Sequence, residues 1–260
     1  MYSIWKESYF TSSVFIFIYI ALNYYYLRRA RAGLPIPTIR KIAGLEAVDE
    51  AVGRATEMGR PVHFTPGSIG FDAEGFASMA FLGHLAKLCA RYDTRIIATT
   101  PSYLIQAVYD EIVRQSFLEA GRPDSFNPDD IRYISGQQYS AAAATLGIMA
   151  REQVAANFMI GYFYAESLIY AEAGYQIGAI QVAGTTSTTQ TPFFIAACDY
   201  CLIGEEIYAA GAYLSKDPVL EGTVASQDIV KQALLVLIFV GTVMASFFGQ
   251  TETLVKLLRL

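Results

Sequence analysis

Apolar runs alternate with polar turns through the middle of the chain, in the rhythm of strand, turn and helix. Five short apolar runs each end in small or hydroxyl side chains: residues 61–65, 94–100, 131–134, 177–183 and 200–203. Helix-like segments separate most of these runs. Alternating strands and helices are typical of a parallel sheet covered by helices. The pattern predicts an α/β fold: a Rossmann-like, mostly parallel sheet of about five strands with helices on both faces.

The predicted helices fill the intervals between these strands. Residues 44–58 place apolar side chains at three- and four-residue spacing, which indicates an amphipathic helix that Gly59 can end. Further helices are predicted at 76–92, 103–120 and 205–215.

A long helical region is predicted at residues 139–173, and its part 157–174 is too apolar for an exposed helix. Glu166 and Glu172 argue against a membrane span there. We expect this part to pack against the sheet, the membrane face or a neighbouring subunit.

Residues 9–27 form an apolar segment of the length that a membrane-spanning helix needs, roughly 20 residues. Three tyrosines (24–26) end it, and Arg28, Arg29 and Arg31 follow at once. The positive-inside rule then predicts a cell-membrane protein with its N-terminus outside and its main domain in the cytoplasm. A cleaved signal peptide is the alternative, but there the basic cluster would precede the apolar run.

A second apolar run, residues 233–248, is short for a full span. It either crosses the membrane or lies in its interface, and a crossing would leave Lys256 and Arg259 outside, against the charge rule. We therefore predict an N-terminal transmembrane anchor (1–32), a cytoplasmic α/β domain (33–227), and a C-terminal hydrophobic helix with an amphipathic tail (228–260).

Composition adds limits to this picture. Hydrophobic residues make up 53% of the 260 residues, an excess that the two flanking segments would explain. The net charge is −5 and no long basic tract exists, so we expect no nucleic-acid partner. Three cysteines make no disulfide framework and suit a reducing compartment.

Candidate binding residues follow the predicted strands. In open parallel sheets, ligands bind outside the carboxyl ends of the strands, where small residues let backbone N–H groups approach. This predicts a pocket for a polar or anionic ligand, with Glu205 or Glu206 as acid–base. The alternative is that the hydroxyls cap helices and that the two acids complement a helix dipole. The candidates are Thr65, Gly67, Ser68, Thr99, Thr100, Ser135, Gly184, Thr185, Thr186, Ser187, Glu205 and Glu206.

Known cofactor and metal motifs are absent from the sequence. There is no GxxxxGK[ST] or GxSxG, and residues 65–71 lack the GxGxxG spacing, so we predict no cofactor. Cys198 and Cys201 have CxxC spacing, but a structural zinc site needs four ligands. Cys89, His63 and His84 are unpaired in sequence, so we predict no metal site and expect both histidines to be core residues with partners.

Two stretches carry a resemblance. Residues 44–67 and 199–215 (DYCLIGEEIYAAGAYLS) resemble an uncharacterised family of membrane-anchored prokaryotic proteins, known as a domain of unknown function. The family offers no catalytic motif to transfer. The resemblance implies an anchored α/β domain and nothing about chemistry.

Surplus apolar surface favours a structural function. Residues 157–174, the flanking segments and the small pair Gly241 and Ala245 all offer contact surface. The leading hypothesis is a scaffold that self-assembles into a homo-oligomer on the cytoplasmic face of a lipid bilayer. The alternatives are a small-molecule-binding protein or enzyme using the strand-end pocket, and an accessory subunit bound to other membrane subunits.

Overall fold

A computed structural model of the protein describes residues 7–35, 42–68, 70–215 and 218–248. The chain divides into two compact units, Arg40–Ser215 and the pair of segments Met1–Ile39 and Lys216–Leu260. The strands are β1 (Val62–Gly67), β2 (Ile96–Thr100), β3 (Ile131–Tyr133), β4 (Ala156–Tyr162), β5 (Ile180–Thr185) and β6 (Tyr200–Ile203). The helices are α1 (Glu7–Arg31), α2 (Ala43–Met58), α3 (Ala73–Tyr92), α4 (Tyr103–Glu119), α5 (Gln138–Glu152), α6 (Glu166–Gln176), α7 (Thr191–Ala197), α8 (Glu206–Ser215) and α9 (Pro218–Phe248).

The six strands form one parallel sheet in the order β3-β2-β1-β4-β5-β6. From β1 the chain moves outward through β2 to β3, then returns to the centre and moves the other way from β4 to β6. This is the order of a doubly wound α/β sheet, whose order reverses between β1 and β4. The α/β prediction is confirmed, with six strands where the sequence pattern indicated about five.

The prediction of one long helix over residues 139–173 is wrong. Helix α5 ends at Glu152, β4 then runs between β1 and β5, and α6 begins at Glu166. Strand β4 is buried along almost its whole length. A central parallel strand covered on both faces is a continuous apolar run, which has no alternation to separate it from a buried helix. Residues 156–162 therefore pack inside the sheet, and the self-assembly hypothesis loses this part of its support.

Helices cover both faces of the sheet. On the first face, Phe64 and Phe158 pack in a core with side chains such as Leu45 of α2 and Phe81 of α3, and residues of α4 and α8 join it. On the second face, Met159 and Ala183 pack with residues of α5, α6 and α7. The prediction of helices on both faces is confirmed.

A row of buried polar side chains crosses the second face of the sheet. His63 Nδ1 lies 2.8 Å from Asn157 Oδ1, and His63 Nε2 lies 3.0 Å from Thr99 Oγ1. Asn157 Nδ2 donates in turn to Gln181 Oε1 at 3.4 Å. Because the Asn157 oxygen can only accept, His63 carries its proton on Nδ1 and accepts from the Thr99 hydroxyl at Nε2. Burial lowers the pKa of His63 to about 4, so the expected core histidine with partners is confirmed.

The other compact unit pairs α1 with α9. Ser226 Oγ donates to Asn23 Oδ1 at 2.6 Å, and a Cβ added to Gly222 would lie 3.1 Å from Ala30 Cβ. Residue numbers fall along α1 as they rise along α9, so the helices are antiparallel. Both expose large apolar side chains, with Phe17 and Phe239 each 71% exposed.

Among the described residues, one helix is long and apolar enough to cross a membrane by length and composition: 26 residues, Pro218–Val243. Helix α9 therefore begins well before the apolar run predicted at 233–248. Within its described residues, helix α1 does not meet the same measure. The predicted amphipathic tail, with Lys256 and Arg259, lies outside the described residues, as does the side chain of Ala245.

Candidate functional site

A cavity of about 400 Å³ lies at the carboxyl ends of β1 to β4, on the second face of the sheet. The loops and helix starts that follow these four strands supply Ser68, Ser102, Gln138 and Glu166 to its wall. The cavity therefore includes the position where the strand order reverses. In open α/β sheets that is the usual position of a ligand.

Gly67 shapes the loop that follows β1. Its φ is +66°, and a Cβ built there would lie 2.4 Å from the backbone oxygen of Tyr162. The next amide, Ser68 N, donates to that same oxygen at 2.7 Å. Only glycine lets β1 end so close to β4, and this approach holds Ser68 at the cavity wall.

Glu166 is the first residue of α6, and its side chain is only 1% exposed. Ser68 Oγ donates to Glu166 Oε1 at 3.0 Å, and Gln138 Nε2 donates to Oε2. A carboxylate has about four acceptor positions, and donors among the described residues occupy two of them. Among the described residues that line the cavity, Glu166 is the only one with a formally charged side chain.

Three helices begin at the cavity. Ser102 is the N-cap of α4, Gln138 is the first residue of α5 and Glu166 is the first residue of α6. No side chain caps any of these three helix starts. Each start carries a partial positive charge from the helix dipole. An acidic side chain in the first turn of a helix, such as Glu166 in α6, complements this partial charge.

Two tyrosines complete the wall. Tyr170 is almost buried, while Tyr164 is 51% exposed and therefore reaches the solvent side. Burial raises the pKa of Tyr170 to about 12, and the negative charge of Glu166 acts in the same direction. Tyr170 therefore keeps its hydroxyl proton at neutral pH. The cavity combines one carboxylate, hydroxyl groups, an amide and aromatic rings.

Most of the sequence-predicted site residues do not line this cavity. Thr65, Thr100, Ser135 and Thr185 each accept a hydrogen bond from the backbone amide two residues later, at 3.1 to 3.4 Å. Such bonds stabilise a tight turn after the strand. These hydroxyls shape the loops. None of the four lines the cavity, and none caps α4 or α5.

The remaining candidates are spread over the sheet edge. Thr99 hydrogen-bonds His63 on the second face of the sheet. Gly184 packs against Leu202, whose Cβ would lie 3.1 Å from a Cβ built at Gly184. Residues Thr186, Ser187, Glu205 and Glu206 follow β5 and β6 and do not line the cavity. Glu206 accepts from the amide of Ile203 at 3.0 Å, close to the start of α8.

Of the twelve predicted residues, the cavity brings together Gly67 and Ser68. The prediction missed Ser102, Gln138, Tyr164, Glu166 and Tyr170. Ser102 and Gln138 follow correctly predicted strands by a few residues, so a longer window after each strand would have included them. The other three follow β4, which the sequence pattern did not separate from a helix.

A second group of polar side chains lies at the start of α3. Asp72 Oδ1 caps the helix by accepting from Gly75 N at 2.7 Å. Glu74 is buried, and its Oε1 has no hydrogen-bond partner within the described chain. Burial, and then the charge of Asp72, raises the pKa of Glu74. Two carboxyl groups at this helix start disfavour the phosphate that dinucleotide-binding folds hold there.

No group of three or more histidine, cysteine or acidic side chains close enough to hold a metal ion occurs in the described ranges. Cys89 is fully buried, and Cys198 and Cys201 are partly buried. A hydrogen bond from the Cys198 thiol lowers the pKa of Cys201.

Comparisons with other proteins identify a family. No curated protein and no solved structure matches the chain. The sequence model described as "Domain of unknown function (DUF6754)" matches residues 1–256. The resemblance of residues 44–67 and 199–215 to an uncharacterised family is thereby confirmed. Because the match covers nearly the whole sequence, the chain belongs to the DUF6754 family.

Proposed function

We propose that the unit Arg40–Ser215 is a small-molecule-binding domain and that helices α1 and α9 attach it to a membrane. The observation that carries the proposal is the cavity at the reversal of strand order, with the buried Glu166 carboxylate in its wall. Its volume of about 400 Å³ lies within the range of small-molecule sites, about 300 to 1,000 Å³. A few convergent polar groups among aromatic walls are the usual composition of such sites.

The membrane part of the proposal is supported by the alignment of apolar residues along the antiparallel pair α1 and α9. Val14 lies nine residues before Asn23 in α1, and Leu235 lies nine residues after Ser226 in α9. At about 1.5 Å per residue, both lie about 14 Å from the Asn23–Ser226 bond. The exposed apolar side chains of the two helices therefore form one band at the same level.

The polar residues of the pair fit the same arrangement. Asn23, which lowers the hydropathy of α1, bonds Ser226 of the partner helix instead of facing lipid. Such interhelical bonds let a polar residue enter a membrane helix. We propose that α1 crosses beside α9 and that Arg28, Arg29 and Arg31 mark the cytoplasmic end, as the positive-inside rule requires. The α/β unit, which follows the arginines in sequence, is then cytoplasmic.

Thermal unfolding of the full chain in detergent tests ligand binding. A ligand that binds only the folded state stabilises it by about 2.7 kcal/mol when present at 100 times its Kd. In a panel of several hundred polar metabolites, we expect at least one to raise the Tm of the wild type. It should not raise the Tm of Ala141→Trp, whose tryptophan fills the cavity from α5. The control is Ala150→Trp at an exposed position of the same helix, whose Tm the ligand should still raise. A panel without any Tm shift contradicts the binding function.

Carbonate extraction and protease protection test the membrane attachment. We expect the chain to stay with the membrane at high pH, and the α/β unit to be digested only from the cytoplasmic side. Recovery of the chain in the aqueous fraction contradicts the attachment, and digestion from the opposite side contradicts the orientation.

Self-assembly into a scaffold and attachment to other membrane subunits remain as a second proposal. Exposed aromatic residues on the α/β unit favour it: Phe71 and Phe76 have ring centroids 6.5 Å apart and are 52% and 60% exposed. Exposed apolar groups of this kind often mark interfaces. The native mass in detergent tests this, since a monomer without a co-purifying subunit contradicts both forms of the second proposal.

A further inference from the structure

We infer that the ligand of the cavity carries a cationic nitrogen, an ammonium or guanidinium group, and that Glu166 binds it. This inference rests on the proposed binding function and names the chemical class of the ligand. It starts from the charge in the cavity wall. Glu166 is 1% exposed, and its two hydrogen-bond donors, the Ser68 hydroxyl and the Gln138 amide, are both neutral.

A buried carboxylate gains most from a partner of opposite charge. Burying an ionised group without one is costly, and charge-assisted hydrogen bonds are about twice as strong as neutral ones. Among the described residues no lysine or arginine pairs with Glu166 or lines the cavity. Donors among the described residues fill two of the roughly four acceptor positions of the carboxylate, which leaves room for donors from a ligand. An ammonium or guanidinium group supplies both the charge and the donors.

The aromatic walls support the same ligand class. Tyr164 and Tyr170 both line the cavity, and the faces of aromatic rings attract cations at distances of up to about 6 Å. Tyr170 keeps its hydroxyl proton, so its ring carries no phenolate charge and its hydroxyl stays a hydrogen-bond donor or acceptor. A carboxylate beside aromatic rings is a combination that suits organic cations.

An anionic ligand is the competing class, because three helix starts meet at the cavity. Each helix start carries about half a positive charge, and its effect falls off within one turn. Glu166 already stands in the first turn of α6 and bonds the first residue of α5. The full negative charge of its carboxylate therefore meets an entering anion directly. The cavity therefore selects against anions.

The first test compares ligand classes on the full chain in detergent. A panel of metabolites balanced among ammonium or guanidinium compounds, neutral polar compounds and carboxylates or phosphates is screened by Tm shift, with titration calorimetry of every hit. We expect the hits to be cations, and Glu166→Gln to weaken their binding at least tenfold. Ser125→Ala should leave it unchanged, because this exposed serine bonds Asp93 just before β2, at the opposite ends of the strands from the cavity. Neutral or anionic hits that Ala141→Trp abolishes overturn the ligand class but keep the binding function, while a panel without hits overturns both.

The second test places a cation in the cavity without any ligand. Gln138→Lys puts an ammonium group beside Glu166, and Gln138→Met has a similar length without charge. We expect the lysine variant to melt higher than the methionine variant by about 3 °C. The difference should vanish in the Glu166→Gln background. Equal melting of the two variants with Glu166 present overturns the inference.

Discussion

Acid should destabilise the α/β unit through a single buried side chain, His63. The imidazole is fully buried in the polar row on the second face of the sheet. In its neutral form Nδ1 donates to Asn157 and Nε2 accepts from Thr99. A proton added to Nε2 removes that acceptor and places a positive charge where no carboxylate hydrogen-bonds the ring. Folding therefore opposes protonation of His63.

The size of the effect follows from the two pKa values of His63. Burial lowers the pKa from 6.5 to about 4 in the folded protein. Between these pH values the unfolded chain binds more protons than the folded chain, so stability falls as pH falls. Below about pH 4 both states are protonated and the loss is complete. The interval of roughly 2.5 pH units, at about 1.4 kcal/mol each, gives a complete loss of about 3.5 kcal/mol, of which about 3 kcal/mol falls between pH 7 and pH 4.

Urea unfolding followed by circular dichroism at pH 7, 6, 5 and 4 measures this loss. His63→Gln keeps polar groups at the position but does not titrate, so comparison with it cancels the contribution of other groups. We expect the stability advantage of the wild type over this variant to shrink by about 3 kcal/mol between pH 7 and pH 4. An NMR titration of the His63 ring should show no protonation above about pH 5. A ring that titrates near pH 6.5, or a pH-independent advantage, refutes the reasoning.

Three further predictions concern other positions. Gly67→Ala should destabilise the folded protein by about 3 kcal/mol and Gly59→Ala by about 1 kcal/mol. Both glycines have positive φ, but only at Gly67 would the added Cβ clash with a backbone oxygen. Similar urea midpoints for the two variants contradict this. Asp130→Asn should lose about 2 kcal/mol, since this buried carboxylate accepts two hydrogen bonds from Arg95; unchanged unfolding contradicts it. Burial raises the pKa of the Cys89 thiol, so mass spectrometry should find it unalkylated by iodoacetamide until urea unfolds the chain.

Much of the sheet was predictable because local signals mark its strands. Five of the six strands lie within three residues of their predicted bounds, and each ends near a glycine or hydroxyl residue. Thr65 and Thr100 show why those residue types stand there, since each hydroxyl accepts the amide two residues later and turns the chain. The same chemistry gives these hydroxyls a local structural role, beside the ligand-binding role predicted for them. This local bond is sufficient to explain why such a residue stands at the end of a strand.

Strand β4 was not predictable from periodicity, and because it was not predicted, the expected site was placed elsewhere. Asn157 lies on one face of this strand and Phe158 on the other, yet both are fully buried. Periodicity reports the contrast between a buried and an exposed face, and a central strand has no such contrast. Because β4 was not predicted, the sequence pattern did not show where the strand order reverses. The candidate site was therefore spread over the whole edge of the sheet, as far as Glu205 and Glu206.

The chemistry of Glu166 depends on contacts that no local pattern contains. Its donor Ser68 is 98 residues away in sequence, and Gln138 is 28 residues away. The sequence alone marks Glu166 as an acid in an apolar segment, which suits an interface as well as a cavity. The approach of β1 to β4 at Gly67 brings Ser68 to this carboxylate, so the backbone geometry of one glycine decides its hydrogen bonding. A change at Gly67 should therefore alter ligand binding through Glu166 as well as stability, although Gly67 carries no polar side chain.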